Sequence, residues 1–134
     1  MSDMPMEQHS NLEFIQKAHG NVLIAGLGIG LIIIAIQNNP EIKSITIVEK
    51  YQEIIDLVFP FLPIKKECKV VCEDIFNYIP EKKFNTIYFD IWNDINYKIR
   101  GIEILGEKFI EYLDISDSDC YMGFWREKDA IEYS

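Results

Sequence analysis

Residues 21–30 read Asn21-Val22-Leu23-Ile24-Ala25-Gly26-Leu27-Gly28-Ile29-Gly30. A short apolar run rich in branched residues is followed at once by three glycines on alternate positions. The run predicts a strand buried on both faces, as in the middle of a parallel sheet. Gly26, Gly28 and Gly30 remove Cβ atoms where the chain must turn sharply and where a ligand can approach the backbone. Leu31 to Gln37 is then an apolar stretch of helical length, stopped by Asn38-Asn39-Pro40.

The same alternation recurs on either side. Asn11 to Ala18 places Leu12, Phe14, Ile15 and Ala18 at helical spacing, and His19-Gly20 ends that helix. Ser44 to Val48 is a second strand closed by Glu49, and Tyr51 to Phe59 a helix broken by Pro60 and Pro63. Lys69 to Cys72 is a third strand, running into Glu73-Asp74, and Ile75 to Tyr78 is one helical turn before Pro80. Phe84 to Phe89 is a fourth strand ending at Asp90. Ile102 to Leu113 is a helix with Ile102, Ile104, Leu105, Phe109, Ile110 and Leu113 inward, and Cys120 to Trp125 is a fifth strand. Strands alternating with helices predict right-handed crossovers and an α/β, doubly wound, mostly parallel sheet.

The chain of 134 residues makes a single domain, 1–134, with residues 1–10 an irregular polar arm. Hydrophobic residues are 49% and charged residues 26%, a globular composition that excludes wholesale disorder. No apolar run reaches the ~18 residues of a membrane span, and the N-terminus lacks the features of a secretory signal. Lys and Arg number 13 against 22 Asp and Glu, a net charge of −9. That field disfavours nucleic acid and anionic lipid and suits a cationic or zwitterionic small molecule. The three cysteines Cys68, Cys72 and Cys120 read as reduced cytoplasmic thiols. Their spacing is not that of a zinc site. Asp90, Asn93 and Asp94 offer oxygens to a divalent ion without a third strong ligand, so no metal is expected. His9 and His19 read as surface residues.

In an open parallel sheet, ligands bind beyond the carboxyl ends of the strands. Here the successive strand ends carry glycines, Glu49, Asp74 and Asp90. Glu49 can accept both hydrogen bonds of a ribose diol. Asp74 can accept from an exocyclic adenine amine, with Ile75 packing on the base face, and Asp90 can hold an ammonium group. Any one acid in such a place can equally be a helix N-cap; the series of strand ends is what carries the reading. A dinucleotide fingerprint needs a third small residue for close helix packing. Counting from Gly26 puts Leu31 there, and from Gly28 puts Ile33, so the loop suits a ligand without pyrophosphate better than NAD or FAD.

On these residues the chain resembles class I S-adenosylmethionine-dependent methyltransferases. The matching motifs are VLIAGLGIG (Val22 to Gly30), the acid closing SITIVE, the acid in VCEDIF and the acid after FNTIYF. Within that superfamily, the glycine loop, the IVE ending at Glu49 and the segment Asp90-Ile-Trp-Asn-Asp94 look most like small spermidine-synthase-like proteins. The resemblance implies a Rossmann-like sheet of strand order 3-2-1-4-5, in a minimal five-strand version lacking the last two strands. It implies S-adenosylmethionine or its decarboxylated form as cofactor. Gly26, Gly28 and Gly30 would line the methionine moiety and Glu49 would bind the ribose hydroxyls. Asp74 would bind the adenine amine, and Asp90 the amino group or reacting centre.

Catalysis would fall to Asp90 or Asp94, as base or as a clamp on a cationic amine, with Trp92 offering a cation–π face. Ala25 stands where many such methyltransferases carry an acid, and no Asn/Asp-Pro-Pro-Tyr signature follows the fourth strand. Three functions are therefore expected: a small-molecule methyltransferase, an aminopropyltransferase acting on a polyamine, or a nucleoside-binding module without catalysis. An apolar fifth strand at the sheet edge further predicts a homodimer.

Overall fold

The computed structural model describes residues 12–27, 30–64, 67–90 and 98–124. Five strands form one sheet: β1 (Gly20–Ala25), β2 (Ile42–Glu49), β3 (Cys68–Cys72), β4 (Thr86–Phe89) and β5 (Tyr121–Phe124). Their order is β3-β2-β1-β4-β5, and every neighbouring pair is parallel. This is the α/β architecture and the strand order the sequence predicts. The helices are α1 (residues 12–17), α2 (Leu31–Ile36), α3 (Gln52–Val58) and α4 (Lys98–Phe109). Among the described residues, no helix is long and apolar enough to cross a membrane.

The central strand shows why its sequence is apolar throughout. Side chains alternate across a strand, so Val22 and Ile24 enter one core while Leu23 and Ala25 enter the other. Phe14 from α1 and Ala18 just after it, with Ile33 and Ile36 from α2, cover the first face. Leu105 and Phe109 of α4 cover the second, joined by Ile75 and Tyr78 from the turn after β3. Two faces covered by helices on crossovers make the sheet doubly wound. Phe14 stacks on Tyr88 at 4.3 Å between ring centroids, and Phe89 stacks on Phe124 at 4.7 Å, so each core contains an aromatic pair bridging elements.

Several boundaries and faces differ from expectation. β2 begins at Ile42, two residues early, because Gly20 N–H donates to Glu41 O at 2.8 Å and a register shift after Gly20 lets Ile42 pair with it. Phe84 lies outside β4 and makes only an isolated bridge to Leu113. The α4 helix starts at Lys98 rather than Ile102. Ile104 and Ile110, expected inward, are 44% and 52% exposed. Leu105 and Phe109, four apart, take the buried stripe and leave Ile104 rotated off it. At Ile110 the chain tightens into a 3-10 turn, Ile110–Tyr112, which resets the periodicity and returns Leu113 to the core. Leu12 in α1 is likewise half exposed while Phe14 is fully buried. The side chain of Ile102 and residue Trp125 lie outside the described residues.

Candidate functional site

Because all five strands run the same way, the residues after β1, β2, β3 and β4 gather at one end of the sheet. Gly26 follows β1 with φ 99 and Gly30 precedes α2 with φ 81, both in the left-handed region that glycine adopts without strain. Gly26 N–H donates to Val48 O at 2.8 Å, which ties the loop to β2. At Gly30 the approach is close: a Cβ built there would lie 2.5 Å from Leu62 Cδ2. Gly28 lies outside the described residues.

Glu49 is the best-defined acid. It is buried, 8% exposed, at the last position of β2. Its Oε1 accepts from Leu27 N–H at 2.8 Å and its Oε2 from Tyr51 N–H at 3.1 Å. A buried carboxylate needs such partners. Each oxygen has a further lone pair beyond the backbone bond it accepts, so the group can hold the glycine loop and still receive a diol.

Asp74 sits two residues beyond β3. Its Oδ1 accepts from Phe76 N–H at 3.0 Å, an Asx turn, and its Oδ2 is 3.9 Å from Lys50 Nζ. Its carbonyl accepts from Asn77 and Tyr78, which makes the expected single helical turn. Ile75 is 4% exposed and belongs to the core under α4. Asp90 follows β4, and its N–H donates to Ala25 O at 2.8 Å, so it stands directly beside the start of the glycine loop. Gly26, Gly30, Glu49, Asp74 and Asp90 are thus gathered on adjoining strand ends. Trp92, Asn93 and Asp94 lie outside the described residues.

The sequence reading missed three participants. Lys50 immediately follows Glu49, a proximity visible in the sequence. Lys108, whose Nζ donates to Phe76 O at 2.7 Å and Ile75 O at 3.4 Å, is 32 residues from Phe76 and gave no local signal. Leu62, packed on Gly30, gave none either.

His19, expected at the surface, is instead 19% exposed, at the opposite end of the sheet. Its Nε2 donates to Asp117 Oδ2 at 2.6 Å and its Nδ1 faces Lys17 O at 2.9 Å. Asn85 Nδ2 also donates to Asp117 Oδ2, and Thr86 Oγ1 donates to His19 O, each at 2.9 Å. This network joins the starts of β1 and β4 to the turn before β5. Among the described residues, no group of three or more His, Cys, Asp or Glu could hold a metal ion.

No protein-family model matches the chain, and no curated protein matches it. Solved structures do. The N-methyltransferase NodS from Bradyrhizobium japonicum is 15% identical with a TM-score of 0.63, covering 84% of this chain and 65% of NodS. NodS has also been solved in complex with S-adenosyl-L-homocysteine. An S-adenosylmethionine-dependent methyltransferase from Clostridium acetobutylicum is 19% identical with a TM-score of 0.59, covering 84% of this chain and 47% of the other. The glycopeptide N-methyltransferase MtfA is 16% identical with a TM-score of 0.63, covering 81% of this chain and 50% of MtfA. The chain therefore spans less than two thirds of the length of these proteins. Five parallel strands in the order 3-2-1-4-5, with helices on both faces, give this chain the Rossmann-like fold of the class I S-adenosylmethionine-dependent methyltransferases.

Proposed function

We propose that the chain binds S-adenosylmethionine at the carboxyl ends of β1 to β4 and is a methyltransferase acting on a small molecule. The observation that carries this is the buried Glu49 carboxylate, held by Leu27 N–H and Tyr51 N–H beside a left-handed glycine loop. Gly26, Gly28 and Gly30 line the methionine moiety through the main chain, the space beside the Gly30 Cα being filled by Leu62. Glu49 takes the ribose hydroxyls, Asp74 takes the adenine amine, and Ile75 offers the base whatever edge its burial leaves. Asp90 holds the ligand's amino group.

When bound, S-adenosylmethionine supplies an electrophilic methyl: the acceptor's lone pair forms the new bond as the carbon–sulfur bond breaks, leaving its electron pair on the sulfur of S-adenosylhomocysteine. The chain's own part is to align the acceptor and to take its proton. Asp90 and Asp94 are the residues proposed for that, as base or as a clamp on a cationic amine. A location in the cytoplasm and a homodimer paired through the β5 edge belong to the same reading; a monodisperse monomer at micromolar concentration in light scattering overturns the dimer.

The second reading, aminopropyl transfer from decarboxylated S-adenosylmethionine to a polyamine, is favoured by the net charge of −9 and the spermidine-synthase-like Asp90 segment. Titration calorimetry with S-adenosylmethionine, its decarboxylated form and methylthioadenosine tests both. Saturable binding of the first supports the methyltransferase reading, and preference for the second supports the alternative. No binding of any of the three at ~1 mM, the weak limit of useful affinity, overturns both. Binding without turnover across amine and hydroxyl acceptors identifies a nucleoside-binding module.

A further inference from the structure

We propose that Lys108 is a positioning residue for the adenine subsite, fixing the Ile75–Phe76 peptide that aims the Asp74 carboxylate. The inference rests on the reading of Asp74 given above and adds to it a residue from the far end of α4. Lys108 lies in the last turn of that helix. Its Nζ donates to Phe76 O at 2.7 Å and to Ile75 O at 3.4 Å. The second carbonyl belongs to the same peptide unit as Phe76 N–H, the group that donates to Asp74 Oδ1 at 3.0 Å. One ammonium therefore grips two successive carbonyls, those of Ile75 and Phe76, in the turn whose amide orients the acid.

The geometry has a chemical consequence. Phe76 N–H fixes Oδ1, which keeps one lone pair, and Oδ2, 3.9 Å from Lys50 Nζ, has the greater accepting capacity left for an exocyclic amine. If the peptide rotates, Oδ1 loses its donor and the carboxylate can turn about its two side-chain torsions. An exposed lysine ordinarily keeps its rotamer freedom, and holding it costs entropy; here it is offset by two carbonyl acceptors and by the nearby charges of Glu73 and Asp74. Those acids favour the charged ammonium, although burial, the larger influence, lowers its pKa from the usual lysine value. Ile75 and Tyr78 pack this turn into the core with Leu105 and Phe109 of α4, while Phe76 between them is 40% exposed, and Lys108 adds the hydrogen bonds that hold the Ile75 and Phe76 carbonyls.

The test compares S-adenosylhomocysteine with S-inosylhomocysteine, in which a carbonyl replaces the amine, by titration calorimetry on the full chain. A hydrogen bond to a charged group predicts that the unaltered protein prefers the adenosyl ligand roughly tenfold or more. Lys108→Met keeps the stem and removes the donors. With the Asp74 carboxylate no longer aimed at the amine, this variant should lower the preference to about threefold or less while S-inosylhomocysteine affinity stays within about twofold. Lys108→Arg should restore the preference. Should Lys108→Met fail to fold, Lys108→Gln, with one donor group, carries the same comparison. An unchanged preference, or an equal loss for both ligands, overturns the proposal and leaves Lys108 a purely structural tie. If the unaltered protein binds neither ligand, the nucleoside reading itself fails and this inference with it.

Discussion

Glu49 Oε1 accepts a hydrogen bond from Leu27 N–H at 2.8 Å, across 22 residues of sequence. The acid at the end of one strand thus holds the loop at the end of its neighbour. In the proposed function, the residue that takes the ribose hydroxyls is also the one that fixes the loop beside them. Replacing Glu49 by Ala strands the Leu27 and Tyr51 amides, and an unsatisfied buried donor costs about 1–3 kcal/mol. Glu49→Ala should therefore lower stability by that order in urea denaturation and abolish S-adenosylmethionine binding in calorimetry. Glu49→Gln turns a donor group toward one of the two amides and should behave similarly; a variant with unchanged stability would show that the two backbone bonds contribute nothing.

Gly30 and Gly106 make a matched pair. Gly30 has φ 81 and a built Cβ would meet Leu62 Cδ2 at 2.5 Å, whereas a Cβ at Gly106 meets nothing within 4 Å. Left-handed backbone costs a Cβ-bearing residue roughly 1–2 kcal/mol before any clash, so Gly30→Ala should destabilise by at least that amount. Gly106→Ala lies inside α4 and should stabilise by about 0.5–1 kcal/mol. Adding Leu62→Ala to Gly30→Ala removes the clash but not the backbone strain, and the thermal melts should separate the two.

The fold was legible because its deciding signals are local. The run Val22 to Ala25 reads as a doubly buried strand without any knowledge of its neighbours, and the acids Glu49, Asp74 and Asp90 stand at or within two residues of strand ends. What was not legible depends on contacts between distant segments. Ile104 and Ile110 fit a helical stripe on hydrophobicity alone, yet both face out, Ile104 because Leu105 and Phe109 take the buried stripe and Ile110 because the 3-10 turn Ile110–Tyr112 resets the periodicity. Two partners of His19, Thr86 and Asp117, lie 67 and 98 residues away. Lys108 falls among ordinary surface charges until α4 is laid beside the turn after β3.

The three free cysteines differ in accessibility. Cys72 is exposed at the end of β3, pairs in register with Glu49 and donates its thiol to Lys50 O at 3.6 Å. Cys68, at the other end of that strand, is half-buried, and burial pushes its thiol up to about 11. Thiolate is the reactive form, so iodoacetamide at pH 8 should label Cys72 well ahead of Cys68, read by peptide mass spectrometry. Saturating S-adenosylmethionine should slow labelling of Cys72 and leave Cys68 unaffected. Equal rates with and without ligand would place the nucleoside away from the ends of β2 and β3.

His19 and Asp117 set the pH range in which the amino end of the sheet is held together. Both ring nitrogens of His19 face acceptors, Lys17 O and Asp117 Oδ2, and only the protonated imidazole can donate to both. Desolvation is the largest single influence and lowers its pKa, but the bonds to Lys17 and Asp117 and the charges of Asp117 and Asp119 together outweigh it and raise it above 6.5. Asp117 is lowered from 3.8 to about 2, chiefly by the His19 bond and then by the Asp119 and Asn85 donors. A raised histidine adds stability that is fully present below its unfolded value near 6.5 and is lost as pH rises through the folded value. A lowered aspartate adds stability present above 3.8 and lost as pH falls toward about 2. The pair should thus contribute most between about pH 4 and 6.5. Melting temperature measured against pH should fall on the alkaline side of that window in the unaltered protein. In His19→Gln, which keeps one donor but cannot titrate, that alkaline decline should flatten; a decline of the same size in both proteins would show that the imidazole stays neutral in the folded chain.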